Sequence, residues 1–352
     1  MRILAINPGG TSTKIAAFDD EQELFSINVL HDQEKVNAFT SVVAQGPMRK
    51  AAILAALAER DMPLSGFDCV VGRGGLLKSI PGGTYSVSPA LLADLQTAKF
   101  GEHPSNLGPI LAHELAATVQ VPAYTVDPVS VDEFWDFAKI SGISDLERPS
   151  WMHALNQKAV CREIAGRLGG TYADFNFIVA HLGSGISIAA HTGGRMVDGS
   201  GGRSNGPFSP ERSGGLPAFP LVNLCYSGKY THKEMVDRLS VSGGIYDYLG
   251  TKDMVEVEAR CEAGDERALL IMNAFIYQIA WEIAGYGASL FGKVDRIIIT
   301  GGIARSERIV KGVTERVSFV APVVVLAGEK EMESLTLGAL RVLRGQEAAR
   351  EY

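Results

Sequence analysis

Residues 5–14 read AINPGGTSTK. An apolar run enters a glycine pair, and a hydroxyl-rich segment follows and ends in lysine. Glycine lets a backbone approach phosphate oxygens and aim N–H groups at them. A Walker loop needs four residues between two glycines, then Lys and Ser or Thr opening a helix. Lys14 follows no glycine, and it leads into IAAFD, which reads as a strand. The stretch is therefore strand, glycine turn, strand, with Asn7, Thr11, Ser12 and Lys14 as candidate side-chain donors to phosphate.

The pattern returns about half a chain later in FIVAHLGSGISIAAHTGG (177–194). There Asn7 faces His181, Gly9 faces Gly183, and KIAAF faces SIAAH with a one-residue slip. A third glycine turn, in RIIITGGIARSERIV (296–310), follows a very apolar strand and runs into a helix. Self-similarity at half-length suggests a duplicated domain, although two unrelated glycine-rich hairpins look alike at this level. Three such turns, the last at a helix N-terminus, favour a nucleotide with several phosphates.

The rest of the chain alternates strands and helices. PMRKAAILAALAER (47–60) has helical apolar spacing, and FDCVVGRGG (67–75) reads as a buried strand ending in a glycine loop. Ser88 and Pro89 start another helix, and VPAYTVDPV ends at the turn-initiating pair Asp127-Pro128. The pattern resets near residue 150 with the amphipathic HALNQKAVCREIAGRLGG. The apolar run 266–290 is interrupted by Asn273, Gln278 and Glu282, so it reads as a buried helix rather than a membrane span.

Length and composition set bounds. A chain of 352 residues favours two domains. The net charge of −7 argues against nucleic acid or an anionic membrane as the main partner. Cys69, Cys161, Cys225 and Cys261 have no CxxC spacing, which points to reduced thiols and no zinc site. MRILAIN is too short an apolar run for a signal peptide. The expectation is a soluble cytoplasmic protein.

Arg73 in GRGG and Arg212 in SPERSGG stand out among the cations. A loop arginine is ordinarily a solvated surface charge. Between glycines, nothing bulky shields its fork from a bound carboxylate or phosphate. His103, His153 and His181 each sit at an element boundary, where capping and packing are the commoner roles. Asp127 is either a turn residue or a strand-end carboxylate beside phosphate. Glu329 and Glu331 read as a helix N-terminal charge pattern or as help for a metal. No HExxH spacing, Ser-His-Asp arrangement or G-x-S-x-G elbow is present.

Taken in order, ILAINPGGTSTKIAAF, VVGRGGLLKSIPGGTY, EHPSNLGPILAHELA, TVDPVSVDEF, MHALNQKAV, VAHLGSGISIAAH, SPERSGG, IIITGGIA and GEKEMESLTLGALRVLRG closely resemble the acetate kinase family, in its butyrate branch. The resemblance covers essentially the whole chain. It implies two similar α/β domains of the actin-like ATPase (ribonuclease H-like) fold with an interdomain nucleotide cleft. The domains would be 1–149 plus 333–352, binding the acid and carrying the first phosphate loop, and 150–332, binding the nucleotide. It implies ATP-dependent phosphorylation of a short-chain fatty acid, butyrate or isobutyrate, with acetate or propionate as the alternative. A nucleotide switch of the actin or Hsp70 kind is the non-enzymatic alternative.

By the same resemblance, Arg73, Asp127, His153 and Arg212 match catalytic positions. Asn7, Ser12, Lys14, His181, Gly183, Gly185, Gly301, Gly302 and Ile303 match nucleotide and phosphate positions, and His103 lies in the substrate region. Asn7 with Glu331, or with Glu329 if the alignment slips, would help bind Mg²⁺. ATP/ADP and a small carboxylate are the implied ligands, and a homodimer or larger homo-oligomer the implied assembly. Gly10 departs from relatives that carry serine there.

Overall fold

A computed structural model describes residues 1–202 and 205–352. The chain divides into two compact units. Unit 1 comprises 1–132, 154–156 and 330–352, and unit 2 comprises 133–153 and 157–329. The segment 133–153 is fastened within unit 2 by Trp135 N–H to the Val197 carbonyl at 2.9 Å and by Arg148 to Asp198 at 2.9 Å.

Unit 1 is built on strands β1 (Arg2–Pro8), β2 (Ser12–Asp19), β3 (Gln22–Leu30), β4 (Cys69–Arg73), β5 (Thr84–Ser86) and β6 (Ala123–Val126). Their order is β3-β2-β1-β4-β6-β5. The β1–β2 and β2–β3 pairs are antiparallel, whereas β1–β4 and β4–β6 are parallel. Unit 2 uses β7 (Phe177–Leu182), β8 (Ile186–Thr192), β9 (Arg195–Ser200), β10 (Arg296–Gly301) and β11 (Val323–Ala327), in the order β11-β10-β7-β8-β9. Again the two hairpin pairs are antiparallel and the two outer pairs parallel. Five strands of each sheet therefore share one topology, and the half-length similarity in sequence is a similarity of folds.

Each sheet is covered on both faces, as period-2 alternation in a buried strand requires. In β1, Leu4 and Ile6 join the core under helices Gly46–Ala58 and Leu107–Val119, while Ile3 and Ala5 join the core under helix Glu331–Leu343. In β7, Ile178, Ala180 and Leu182 pack under helix Glu266–Ser289, and Phe177 and Val179 under helix Ala154–Arg167. Each of these leucine, isoleucine, valine and phenylalanine side chains contributes about 1.5–3 kcal/mol by leaving water, and each alanine about 1 kcal/mol or less.

The helix Glu266–Ser289 is long and apolar enough to cross a membrane by length and composition alone. One face, from Ala268 through Ile283 to Tyr286, is instead spent on the core of unit 2.

Candidate active site

In unit 1 the β1–β2 register pairs Asn7 with Lys14 and Pro8 with Thr13, leaving Gly9–Ser12 as a four-residue turn. Gly9 N–H closes it on the Ser12 carbonyl at 2.8 Å. Beneath the turn lies Arg49, fully buried in helix Gly46–Ala58. Its guanidinium reaches the Gly10 carbonyl at 2.7 Å, the Ser12 carbonyl at 2.8 Å and Thr13 Oγ1 at 3.0 Å. Gln45 Oε1 takes the two remaining donors at 3.1 and 2.8 Å. All five N–H groups are satisfied and every partner is neutral. Burial pulls the guanidinium below its ordinary value, yet arginine stays charged in a protein. Among the described residues no carboxylate pairs with this positive charge under the turn. The two polar ends of a trans peptide point in opposite directions. With Gly10 C=O held down on Arg49, Thr11 N–H faces away from it, on the open side of the turn.

Around the same strand end, Arg73 Nη2 pairs with Glu331 Oε1 at 2.9 Å, and Arg73 Nη1 points at Asn7 Oδ1 at 3.4 Å. Asn7 Nδ2 donates to Glu331 Oε2. Asn7, Arg73 and Glu331 form one cluster, assembled from β1, β4 and the first residue of helix Glu331–Leu343. The glycines beside Arg73 have a second reason to be there. A Cβ on Gly72 would lie 2.1 Å from the Gly108 carbonyl, and one on Gly108 would lie 2.0 Å from the Arg73 carbonyl. They let helix Leu107–Val119 start against the end of β4.

Asp127, buried at the end of β6 with a φ of 38°, accepts from Gly83 N–H at 2.7 Å. This pins the glycine loop Gly82-Gly83 to the strand end. His103 caps the short turn Pro104–Asn106, its Nδ1 lying 2.7 Å from Ser105 Oγ. Lys14 is exposed and Ser12 is half-buried on the turn itself.

In unit 2 the β7–β8 register pairs His181 with Ser187 and Leu182 with Ile186. The turn Gly183–Gly185 is one residue shorter than its counterpart, which accounts for the slip seen in sequence. Gly183 N–H again closes on the carbonyl of the last turn residue, Gly185, at 3.2 Å. The loop carrying Arg212 is tied to this turn by Ser209, whose hydroxyl donates to the Ser184 carbonyl at 2.5 Å and accepts from Arg212 N–H at 3.1 Å. The Arg212 guanidinium lies over Gly185, where an added Cβ would meet Nη1 at 2.5 Å.

His153 and His181 stack with ring centroids 3.9 Å apart and planes 10° from parallel. Glu329 Oε1 lies 3.2 Å from His181 Nε2. The two candidate glutamates therefore part company, Glu329 to His181 in unit 2 and Glu331 to Asn7 and Arg73 in unit 1. Gly301 ends β10 at a φ of 91°, with no room for a Cβ against the Leu182 carbonyl 2.3 Å away. Gly302 and Ile303 open the short turn Gly302–Arg305 ahead of helix Glu307–Val317. A cavity of about 800 Å³ beside that turn is lined by Arg305, Ser306, Glu258, Asn273 and Lys311 among others.

Sequence reasoning passed over Arg49, Gln157, Ser187 and Ser209. Gln157 stood four residues after His153, on one helix face. Nothing in the helical pattern of 47–60 distinguishes the fully buried Arg49 from the half-buried Lys50 beside it.

The sequence profile of the Acetokinase family matches residues 148–326. The chain belongs to the acetokinase family. The solved acetate kinase of Porphyromonas gingivalis is similar across 97% of this chain and 99% of its own, at 17% identity and a TM-score of 0.80. A propionate kinase of Francisella tularensis is 19% identical over 96% and 98% of the two chains, with a TM-score of 0.76. For the acetate kinase of Entamoeba histolytica the values are 16%, 97%, 99% and 0.75. At such identities the likeness is one of fold, and acetokinase membership supplies the activity class, a nucleotide-using carboxylate kinase.

Proposed function

We propose that the chain transfers the γ-phosphoryl group of ATP directly to the carboxylate of butyrate or isobutyrate, giving an acyl phosphate and ADP, and runs the reaction in both directions. The observation that carries this reading is the placement of one arginine at each phosphate-type turn, Arg73 clustered with Asn7 and Arg212 laid over Gly185. A carboxylate titrating near ~4 is already ionised at neutral pH, so no base has to remove a proton. The barrier is the approach of one anion to another, and positive charge at the transferring group lowers it. In this reading Arg73 and Arg212 neutralise the meeting anions, His153 donates to a phosphoryl oxygen, and Asp127 holds the glycine loop. The turns at Asn7–Lys14, His181–Gly185 and Gly301–Ile303 hold phosphates and adenosine, and His103 borders the acid.

Among the described residues no group of three His, Cys, Asp or Glu could cage a metal. The donor set at Asn7 and Glu331 fits Mg²⁺, which keeps phosphate oxygens and waters as most of its ligands and takes one or two protein carboxylates. Asn7 and Glu331 would hold it, and when bound it supplies charge neutralisation on the phosphates.

The same proposal includes a homodimer or larger homo-oligomer in the cytoplasm. Phe219, Tyr226, Tyr277 and Trp281 are 87%, 89%, 56% and 65% exposed. These exposed side chains are candidate contacts for a second copy of the chain, with light scattering as the check.

Hydroxamate trapping of the acyl phosphate across acetate, propionate, butyrate and isobutyrate tests the activity. Butyrate or isobutyrate should give the highest kcat/KM. One or two methylenes of pocket are worth only about 1–3 kcal/mol, so a preference for acetate would redirect the substrate assignment. Turnover of none of the acids would end the reading.

A further inference from the structure

Behind His153 the second hairpin carries a buried polar chain that the proposed chemistry does not yet use. It runs from His153 to Ser187, Gln157, His191 and Tyr172, all within unit 2, and Ser187, Gln157 and His191 are fully buried. Its geometry dictates where each proton sits. Gln157 Nε2 lies 3.2 Å from the Ser187 backbone carbonyl, which can only accept, so the amide nitrogen and not its oxygen faces Ser187. The other N–H of that amide reaches Ser187 Oγ at 2.8 Å. Gln157 Oε1 must then face His191 Nε2, 2.9 Å away, and that nitrogen must carry a hydrogen. His191 Nδ1 is left as the acceptor for the Tyr172 hydroxyl at 2.6 Å. Burial, with the nearby charge of Lys158 second, holds His191 well below its ordinary value and neutral.

At the other end, Ser187 Oγ accepts from Gln157 and from His153 backbone N–H at 3.3 Å. Both of its lone pairs are committed. Its own hydrogen is what remains for His153 Nδ1, 2.8 Å away. His153 Nδ1 is then an acceptor, and the ring proton resides on Nε2.

We propose that Ser187 and Gln157 are positioning residues that hold His153 neutral, with its proton on Nε2, so that it offers one fixed donor to a phosphoryl oxygen. An imidazolium at His153 would need Ser187 Oγ to accept a third hydrogen bond, which breaks one of the two it already has. Among the described residues, the charged and titratable groups facing the ring and its relay include His181 stacked on it, Glu329 beside His181, and, further along, His191, Tyr172, Arg162 over the Tyr172 ring and the buried Lys158–Glu133 pair. The inference rests on the carboxylate kinase reading for what the donor does, but the tautomer itself does not depend on it.

The test is ¹⁵N NMR of the full chain labelled at histidine, with His153→Gln to identify the His153 signals. The wild type should keep its His153 proton on Nε2 from about pH 6 to about pH 8, the range in which an unconstrained histidine titrates. Ser187→Ala should mix the tautomers and lower kcat about 10–100-fold, the usual penalty for losing an outer-shell partner, with KM for ATP nearly unchanged. Ser187→Thr, which restores a hydroxyl, should restore the tautomer. A wild-type His153 protonated on Nδ1, or charged at about pH 7, overturns the proposal even if no variant folds. So does Ser187→Ala with wild-type kcat, whatever its tautomer. If the wild type phosphorylates no acid, the functional reading falls and the tautomer result stands separately.

Discussion

The two glycine hairpins share a topology and differ in what braces them. Each closes the N–H of its first turn residue on the carbonyl of its last, and each has a mid-turn carbonyl held from behind. In the first hairpin the brace is the buried cation Arg49, with a second cation, Lys14, exposed at the strand position that Ser187 occupies in the second. In the second hairpin the brace is the neutral hydroxyl of Ser209, and the position facing His181 is the neutral Ser187. One turn geometry thus serves two electrostatic tasks. The first presents donors over fixed positive charge. The second presents donors and one arginine, laid over Gly185, beside a neutral relay.

The largest expected effect comes from removing the arginines that both turns carry. Arg212→Ala and Arg73→Ala should each reduce phosphoryl transfer to butyrate by roughly 10³-fold or more, the scale of arginines that stabilise this kind of transition state. Near-wild-type turnover in either variant would show that the two turns do not work as a charged pair. Next comes the buried brace. Arg49→Met leaves the Gly10 and Ser12 carbonyls and Gln45 without their donor, a loss of about 2–4 kcal/mol given the penalty for unsatisfied buried groups. KM for ATP should rise with it. Arg49→Gln keeps some hydrogen bonding without the charge. If that variant regains wild-type KM, the charge under the first turn does nothing for the anion, and the contrast between the hairpins is one of packing only.

Much of this was legible in the sequence. The strand-turn-strand pattern at 5–14 and 177–194 depends on local apolar runs and glycines, so it survives reading in one dimension, and so does the one-residue slip. The braces were not legible, because burial of Arg49 arises from packing between helix Gly46–Ala58 and a turn more than thirty residues earlier. Arg49 and Lys50 are adjacent cations in one helix, and only the fold buries the first while leaving the second in contact with Glu114. Glu329 and Glu331 were ambiguous for a related reason. Two residues apart, they belong to different units, and the break between strand and helix that separates them carries no distinct composition. The glycines around Arg73 were seen, but half of their purpose, the close start of helix Leu107–Val119, involves Gly108 from elsewhere in the chain.

The glycines of the two turns give a smaller and sharper contrast. A Cβ at Gly185 would meet the Arg212 guanidinium, whereas one at Gly10 would meet nothing within 4 Å. Gly185→Ala should therefore lower kcat about tenfold by displacing Arg212, equivalent to about 1.4 kcal/mol in the barrier. Because the obstacle is the end of a flexible side chain, the melting temperature should hardly move. Gly10→Ser should be tolerated in both activity and stability. Equal effects at the two positions would mean that Arg212 does not rest where the geometry puts it.

The smallest effect is a pH dependence of stability that the two hairpins share. His31, half-buried beside the first turn, is lowered by burial and then by the charge of Arg49. His191, behind the second, is lowered well below its ordinary 6.5 by burial and then by Lys158. A histidine whose folded value is depressed stabilises the fold above its unfolded value, because the folded chain then gives up nothing by staying neutral. As pH falls below about 6.5, the unfolded chain takes up protons that the folded chain refuses, and stability declines by at most about 1.4 kcal/mol per pH unit for each group. Thermal melts between about pH 7 and about pH 5.5, above the main carboxylate range, should show the midpoint dropping by a few degrees. His191→Gln should flatten that slope more than His31→Gln does, since His191 is fully enclosed and His31 is not. A slope that His31→Gln alone removes would assign the acid sensitivity to the charged brace of the first hairpin and leave the relay of the second indifferent to pH.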